Sequence, residues 1–191
     1  FSNGDVILTT LIERKSETRK AAFARRKLAH AQGTDAQAQQ FLQEALSPYH
    51  GKSIAGYMPI RTEVSPLPVM KEWQGDVGVP VILAAGQPLE FHRWYADCTM
   101  TEGAFGAHIP ADAQPMTPDV VVVPLVAFDL KGGRLGYGGG FYDRTLELLR
   151  ANRPTIAIGF AYAGQEADQL PLEPTDQPLD MMVTELGITR F

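Results

Sequence analysis

The chain has 191 residues, 45% of them hydrophobic and 20% charged, a composition that excludes fibrous and intrinsically disordered classes and leads us to expect one globular domain over 1–191. Its formal net charge of −5 repels a phosphate backbone, so nucleic acid is not an expected partner. The lone cysteine, Cys98, excludes an intrachain disulfide or a multi-thiolate zinc site and reads as a small core residue in a reducing compartment.

Near the start, Val6 to Ile12 is broken by two threonines and followed by Glu13, Arg14 and Lys15, so it lacks the order of a secretory signal. From Leu11 to Ala31, residues Leu11, Ile12, Ala22, Phe23, Arg26 and Leu28 recur at roughly helical spacing, and Gly33 supplies a stop. Lys15 and Arg19, four apart on one face of this helix, have a solvated basic face as their plain reading, given Arg14, Lys20, Arg25, Arg26 and Lys27 nearby. Asp35 is the expected N-cap of a second helix that runs to Leu46, where Ser47-Pro48 ends it. Ser53 to Met58 reads as a strand, and a short helix carrying Val69, Met70 and Trp73 closes at Gly75. Val79 to Ala84 and Leu89 to Tyr95 follow as strands, and Val120 to Val123 is the clearest one, β-branched throughout as a strand buried on both faces would be. The longest apolar run, Val120 to Phe128, is interrupted by Pro124 and falls short of the roughly 20 residues that span a bilayer, so no membrane partner is expected.

Leu125 to Gly140 reads as a glycine-rich loop leading into a helix from Phe141 to Leu149. Thr155 to Ala161 is a further strand, and a proline-punctuated loop to Leu179 leads to a short strand near Met182 to Thr184. Strands alternating with helices predict an α/β fold, a three-layer α/β/α arrangement with a largely parallel sheet.

The chemistry concentrates between Gly132 and Asp143. Glycines there permit positive φ and let an anion approach main-chain N–H groups, and a helix N-terminus with unpaired donors comes next. A plain linker would not interleave Arg134, Tyr137, Phe141, Tyr142 and Asp143 with those glycines, so the segment reads as a phosphate cradle. It is not the dinucleotide fingerprint, because Phe141 stands where the third glycine belongs. Gly51-Lys52-Ser53 imitates the end of a P-loop, but a strand follows where a helix is required. His30, His50, His92 and His108 are too scattered for a metal site and read as surface or packing residues.

Taken together, Val126-Ala127-Phe128-Asp129, Arg134 to Gly140 and Tyr142-Asp143 resemble the signature of the 5-formyltetrahydrofolate cyclo-ligases, also called methenyltetrahydrofolate synthetases, in its bacterial form. Lys15 and Arg19 resemble that family's N-terminal basic pair, Tyr57 to Glu63 its pterin-side strand and loop, and Phe105-Gly106 a loop that contributes an aromatic. Gln165, Leu170-Pro171, Asp176, Asp180 and Thr184-Glu185 resemble its C-terminal stretch. Phe141 stands where the family usually has tyrosine, and Ser65-Pro66 and Ala107 to Pro110 also depart from its pattern.

The resemblance implies an ATP- and Mg²⁺-dependent closure of 5-formyltetrahydrofolate to 5,10-methenyltetrahydrofolate, with release of ADP and phosphate, in the cytoplasm and by a monomer. On that reading Lys15, Arg19, Arg134, Leu135, Gly136, Tyr137, Gly138, Gly139, Gly140, Phe141 and Tyr142 hold ATP, with Arg134 and Tyr137 carrying the chemistry. Met58, Glu63 and Phe105, with Tyr137 to Phe141, face the folate, which is the small-molecule partner with or without a polyglutamate tail. Asp143 and Asp176 hold Mg²⁺, as hard carboxylate oxygens suit that ion; for Asp143 a plain helix cap is the rival reading. Two other functions share such a scaffold: a non-catalytic nucleotide- or folate-binding protein, and a sugar-phosphate isomerase or CoA-transferase-like enzyme.

Overall fold

In the computed structural model, which describes the backbone of residues 3–191 and the side chains of residue 4 and residues 10–191, the chain starts as one long helix, α1 (Asn3–Ala31). Most side chains of the Val6 to Ile12 run therefore lie outside the described residues. Helix α2 (Asp35–Leu46) follows, and Asp35 is its first helical residue rather than its cap: Thr34 occupies that position. The Asp35 carboxylate instead accepts hydrogen bonds from Tyr162 Oη at 2.5 Å and from the Ser65 amide at 3.2 Å, tying the helix start to two distant loops.

Strand β1 (Ile54–Ala55), helix α3 (Leu67–Glu72) and the paired strands β2 (Val77–Ile82) and β3 (Leu89–Arg93) come next. A small hairpin, β4 (Met100–Glu102) with β5 (His108–Pro110), and the short β6 (Pro115–Met116) precede β7 (Val120–Val123). The glycine-rich stretch is not loop throughout. It contains a hairpin of β8 (Ala127–Phe128) and β9 (Arg134–Leu135), turned by Asp129, whose Oδ1 accepts from the amides of Lys131 and Gly133. Helix α4 (Phe141–Asn152) and strands β10 (Ile156–Phe160), β11 (Met181–Thr184) and β12 (Gly187–Arg190) complete the chain.

The main sheet has the order β12-β11-β10-β7-β1-β2-β3-β6. Its centre, from β11 to β2, is parallel, whereas β12, β3 and β6 join antiparallel. All four valines of β7 are buried. Because successive side chains alternate across a strand, Val120 and Val122 pack in one apolar cluster with Leu42, Leu46 and Met70 from α2 and α3. Val121 and Val123 pack in the other with Leu146 and Leu149 of α4. A central strand apolar on both faces thus explains the three layers, and the expected α/β/α fold is the one observed.

Candidate active site

From the middle of the sheet the strand order runs from β1 toward β2 on one side and from β7 toward β10 on the other. Such a reversal opens a crevice at the carboxyl ends of the two central strands, the usual ligand position in an open α/β sheet. A cavity of about 690 Å³ is lined there by Tyr57 and Met58, just beyond β1, and by Pro124, just beyond β7. Every residue assigned from the sequence to ATP, folate or Mg²⁺ lines this one cavity, from Lys15 and Arg19 on α1, through Met58, Glu63 and Phe105, to the whole run Arg134 to Asp143 and Asp176, whereas Gln165, Leu170-Pro171, Asp180 and Thr184-Glu185 lie outside its lining.

The glycine segment is shaped by two left-handed positions, Gly138 at φ +104° and Gly140 at φ +68°. Gly140 caps α4 without any side-chain hydrogen bond, so the first-turn amides of Phe141, Tyr142 and Asp143 have no helical acceptor. Helix α1 closes over this segment through Arg19, whose Nε donates to the Gly136 carbonyl at 2.7 Å. Burial lowers the Arg19 pKa, an effect opposed by Asp176. Arg134 is buried and its Nη2 donates to Asp143 Oδ1 at 2.6 Å. That same oxygen accepts from the Gln177 amide at 2.8 Å. Asp143 is the third residue of α4, and its carboxylate serves Arg134 and the 177 loop, so it is not a helix cap. Among the described residues, the Arg134 Nε and Tyr142 Oη are buried donors with no protein acceptor.

Lys15 does not point to open solvent. Its Nζ lies 2.9 Å from Glu173 Oε1 and 3.6 Å from Asp176 Oδ2. Asp176 Oδ2 in turn accepts from the Glu173 amide at 2.8 Å, which fixes the loop. Burial raises the Asp143 pKa, opposed first by Arg134, with Asp176 adding like-charge repulsion. Two carboxylates that repel across a cavity rich in cationic and N–H donors have the chemistry to hold a Mg²⁺ ion, which takes one or two carboxylates plus substrate phosphates rather than an all-protein cage. No group of three or more metal-ligating side chains occurs among the described residues. The four histidines do not converge: His92 is buried beside Glu90, and the other three are exposed.

The remaining wall is apolar. Met58, Ile60, Pro80, Ile82 and Leu89 line it, and Phe105 stands at its edge. Phe105 is 76% exposed, so it is not a core aromatic; it sits at φ +58° and packs edge-on against Phe141 at 6.3 Å. Glu63 is the buried polar group of this wall. A tight turn with Arg61 at φ +52° folds its side chain back, so Oε1 accepts from the Ile60 amide at 2.8 Å. Its Oε2 accepts from Tyr137 Oη at 3.0 Å, which joins the apolar wall to the glycine segment. Burial raises the Glu63 pKa and pushes that of Tyr137 up to about 12.

Several cavity residues were not anticipated. Pro80, Ile82 and Leu89 belong to strands whose residues read simply as core. Arg144, directly after Asp143, donates to the Gly139 carbonyl at 2.7 Å and stacks over Phe141 at 5.2 Å. Glu173 carried no signal of its own, although its place three residues before Asp176 suits a shared loop. Cys98 is half-buried and adjoins Met100 at the margin of the core.

Comparison with known proteins agrees with the resemblance seen in the motifs. The model of the 5-formyltetrahydrofolate cyclo-ligase family matches residues 11–185. The chain is 39% identical to 5-formyltetrahydrofolate cyclo-ligase of Haemophilus influenzae over 142 residues, covering 69% of this chain and 75% of that protein. It is 34% identical to the Escherichia coli K12 enzyme of the same name over 142 residues, 69% of this chain and 77% of that one. Among solved structures, the 5,10-methenyltetrahydrofolate synthetase of Aquifex aeolicus superposes with a TM-score of 0.75 at 30% identity, covering 92% of both chains. That of Mycoplasma pneumoniae superposes with a TM-score of 0.61 at 26% identity, covering 86% of this chain and 98% of the other.

Proposed function

The chain belongs to the 5-formyltetrahydrofolate cyclo-ligase family, and from that premise we propose how its cavity carries out the ATP-dependent closure of 5-formyltetrahydrofolate to 5,10-methenyltetrahydrofolate. The observation that carries the reading is the division of one cavity into two linings: cations, free amides and unpartnered donors around the glycine segment, and an apolar surface ending in buried Glu63. The first suits a triphosphate; the second suits a flat heterocycle with an N–H edge.

An N-formyl group is amide-like and a poor electrophile. Transfer of the γ-phosphoryl group of ATP to the formyl oxygen turns that oxygen into a leaving group and releases ADP. The N10 nitrogen then attacks the activated carbon, gives up its proton, and phosphate departs as the new C–N bond closes the ring. No protein nucleophile is needed, so the protein's task is positioning and charge compensation. Lys15 and Arg19 approach the phosphates from α1, while Arg134 and the first-turn amides of α4 supply fixed donors from the far side of the glycine segment. Gly138 to Phe141 pass between nucleotide and folate, with Tyr137 at the formyl end. Glu63 accepts hydrogen bonds from the N–H edge of the pterin, and Met58 and Phe105 cover its faces. Asp143 and Asp176 hold Mg²⁺, which when bound offsets charge on the phosphate oxygens.

One domain suffices for this reaction, and we place it in the cytoplasm as a monomer acting on free or polyglutamylated substrate. The test is methenyl product absorbance followed after mixing protein, ATP, Mg²⁺ and 5-formyltetrahydrofolate. Product should form only when all are present. Product without ATP, or ATP hydrolysis indifferent to folate, would overturn the proposal, and tight folate binding without turnover would make the protein a binding module.

A further inference from the structure

Arg26 read from the sequence as one more solvated cation of α1, yet it is 1% exposed. The helix face explains why: Arg19, Ala22, Arg26 and Ala29 follow one another at three- and four-residue steps, and both alanines are buried. Arg26 does not line the cavity and has no carboxylate within ion-pair distance among the described residues. A buried cation without a direct counter-ion is expensive to maintain, so its hydrogen bonds must account for it.

Those bonds reach both linings of the cavity. Arg26 Nε donates to Thr62 Oγ1 at 2.9 Å, in the turn that presents Glu63. Arg26 Nη1 donates to Tyr137 Oη at 2.5 Å, in the glycine segment. The guanidinium also lies 5.0 Å from the centre of the Phe23 ring, which packs 5.7 Å from the Tyr137 ring. A guanidinium can only donate and an ionised carboxylate can only accept. With Arg26 occupying one lone pair of the Tyr137 oxygen, the single hydroxyl proton of Tyr137 is directed to Glu63 Oε2. The attraction of Arg26 also counts among the influences that favour the charged form of Glu63.

We infer that Arg26 is a positioning residue for folate recognition: it acts through Tyr137 and Thr62 to hold the Glu63 carboxylate in place and to lock the glycine segment against the Glu63 turn. This inference rests on the reading of Glu63 as the folate-side acceptor. It differs from the role of Lys15 and Arg19, because Arg26 touches no ligand.

The signature is a split between substrates together with non-additivity. Arg26→Lys keeps the charge but loses the forked geometry that reaches two acceptors at once. It should raise the KM for 5-formyltetrahydrofolate about tenfold while changing the KM for ATP less than about twofold. The same shift should appear in the folate dissociation constant measured by fluorescence without ATP. Tyr137→Phe should move the folate constants in the same direction, and the double variant should be no worse than about the larger single effect, since both changes break one chain of bonds. Thr62→Val, which removes only the second acceptor, should weaken folate binding several-fold, and it supplies the decision if Arg26→Lys melts at the assay temperature. Folate binding unchanged in Thr62→Val, a shift confined to ATP, or full additivity in the double variant overturns the inference. A wild-type protein that makes no methenyl product would instead overturn the functional reading beneath it, so the two failures are distinct.

Discussion

Arg134 and Asp143 face each other at 2.6 Å across the start of α4, and the aspartate shares the contacting oxygen with the amide of Gln177. The pair binds three pieces of chain that are separate in sequence: β9, the first turn of α4 and the loop that carries Asp176. Charge and geometry of the phosphate-side lining therefore depend on one carboxylate.

Asp143→Asn tests that dependence. Asparagine keeps an oxygen that can still accept from Arg134 and Gln177, so the local hydrogen bonds survive while the charge is lost. The buried guanidinium then has no direct counter-ion, and on the proposed reading Mg²⁺ loses a ligand. Turnover should fall at least a hundredfold, equivalent to about 2.7 kcal/mol, with a raised Mg²⁺ requirement and a cooperative melt. Near-normal turnover with an unshifted Mg²⁺ dependence would leave Asp176 as the remaining metal candidate.

Lys15→Ala and Arg19→Ala should both raise the KM for ATP, with Arg19 the larger effect. Lys15 is held by Glu173 and Asp176, so in meeting a phosphate it exchanges one set of anions for another. Among the described residues Arg19 hydrogen-bonds through Nε to the Gly136 carbonyl, which leaves the rest of its fork for phosphate oxygens. Removing the Arg19 contact should cost no more than about 1 kcal/mol of stability, and removing Lys15 should cost more, because it leaves the largely buried Asp176 carboxylate without its cation. Steady-state kinetics at varied ATP beside a thermal melt separates the effects; unchanged ATP kinetics in both variants would make the pair structural.

The legible parts of this protein were those where a local pattern has one physical meaning. Val120 to Val123 could only be a strand buried on both faces, and glycines interleaved with aromatic and charged residues before a helix could hardly be a linker. Partnerships across the chain were not legible. Nothing local links Lys15 to Glu173, 158 residues away, and nothing in a run of basic residues distinguishes buried Arg26 from exposed Lys27 except its phase with Ala22 and Ala29. The short strands β4, β5, β6, β8 and β9 also escaped notice, because two or three residues give too little alternation to read.

Gly140→Ala should weaken ATP binding through the backbone. At φ +68° a Cβ is strained by about 1 kcal/mol. The added carbon would also lie 2.7 Å from Arg144 Nη1, and Arg144 can yield only by loosening its bond to the Gly139 carbonyl. The melting temperature should drop by about 2–4 °C, while the KM for ATP rises several-fold. A lower melting temperature with unchanged ATP kinetics would show that the loop tolerates the shift.

Glu63→Gln should stabilise the protein at neutral pH while impairing it. Burial is the largest influence on Glu63 and raises its pKa, outweighing the Ile60 amide, the Tyr137 hydroxyl and the charge of Arg26. A carboxyl with a raised folded-state pKa binds its proton more tightly in the native than in the unfolded chain. Between the two pKa values the native state holds more protons, so stability falls as pH rises through that window and stays lower above it. Glutamine carries no such penalty. The melting temperature of the variant should therefore exceed that of the wild type near pH 7, and the two should converge on acidification below the ordinary carboxylate pKa of about 4.3. Folate affinity should move oppositely: in the wild type it should strengthen as Glu63 ionises, and in the variant it should be weak and without that rise. Melts and folate titrations from about pH 4 to pH 8 read both trends together. A variant less stable than wild type at pH 7 would show that the Glu63 charge is no stability cost, and one whose folate affinity still rises with pH would show that Glu63 is not the titrating folate acceptor.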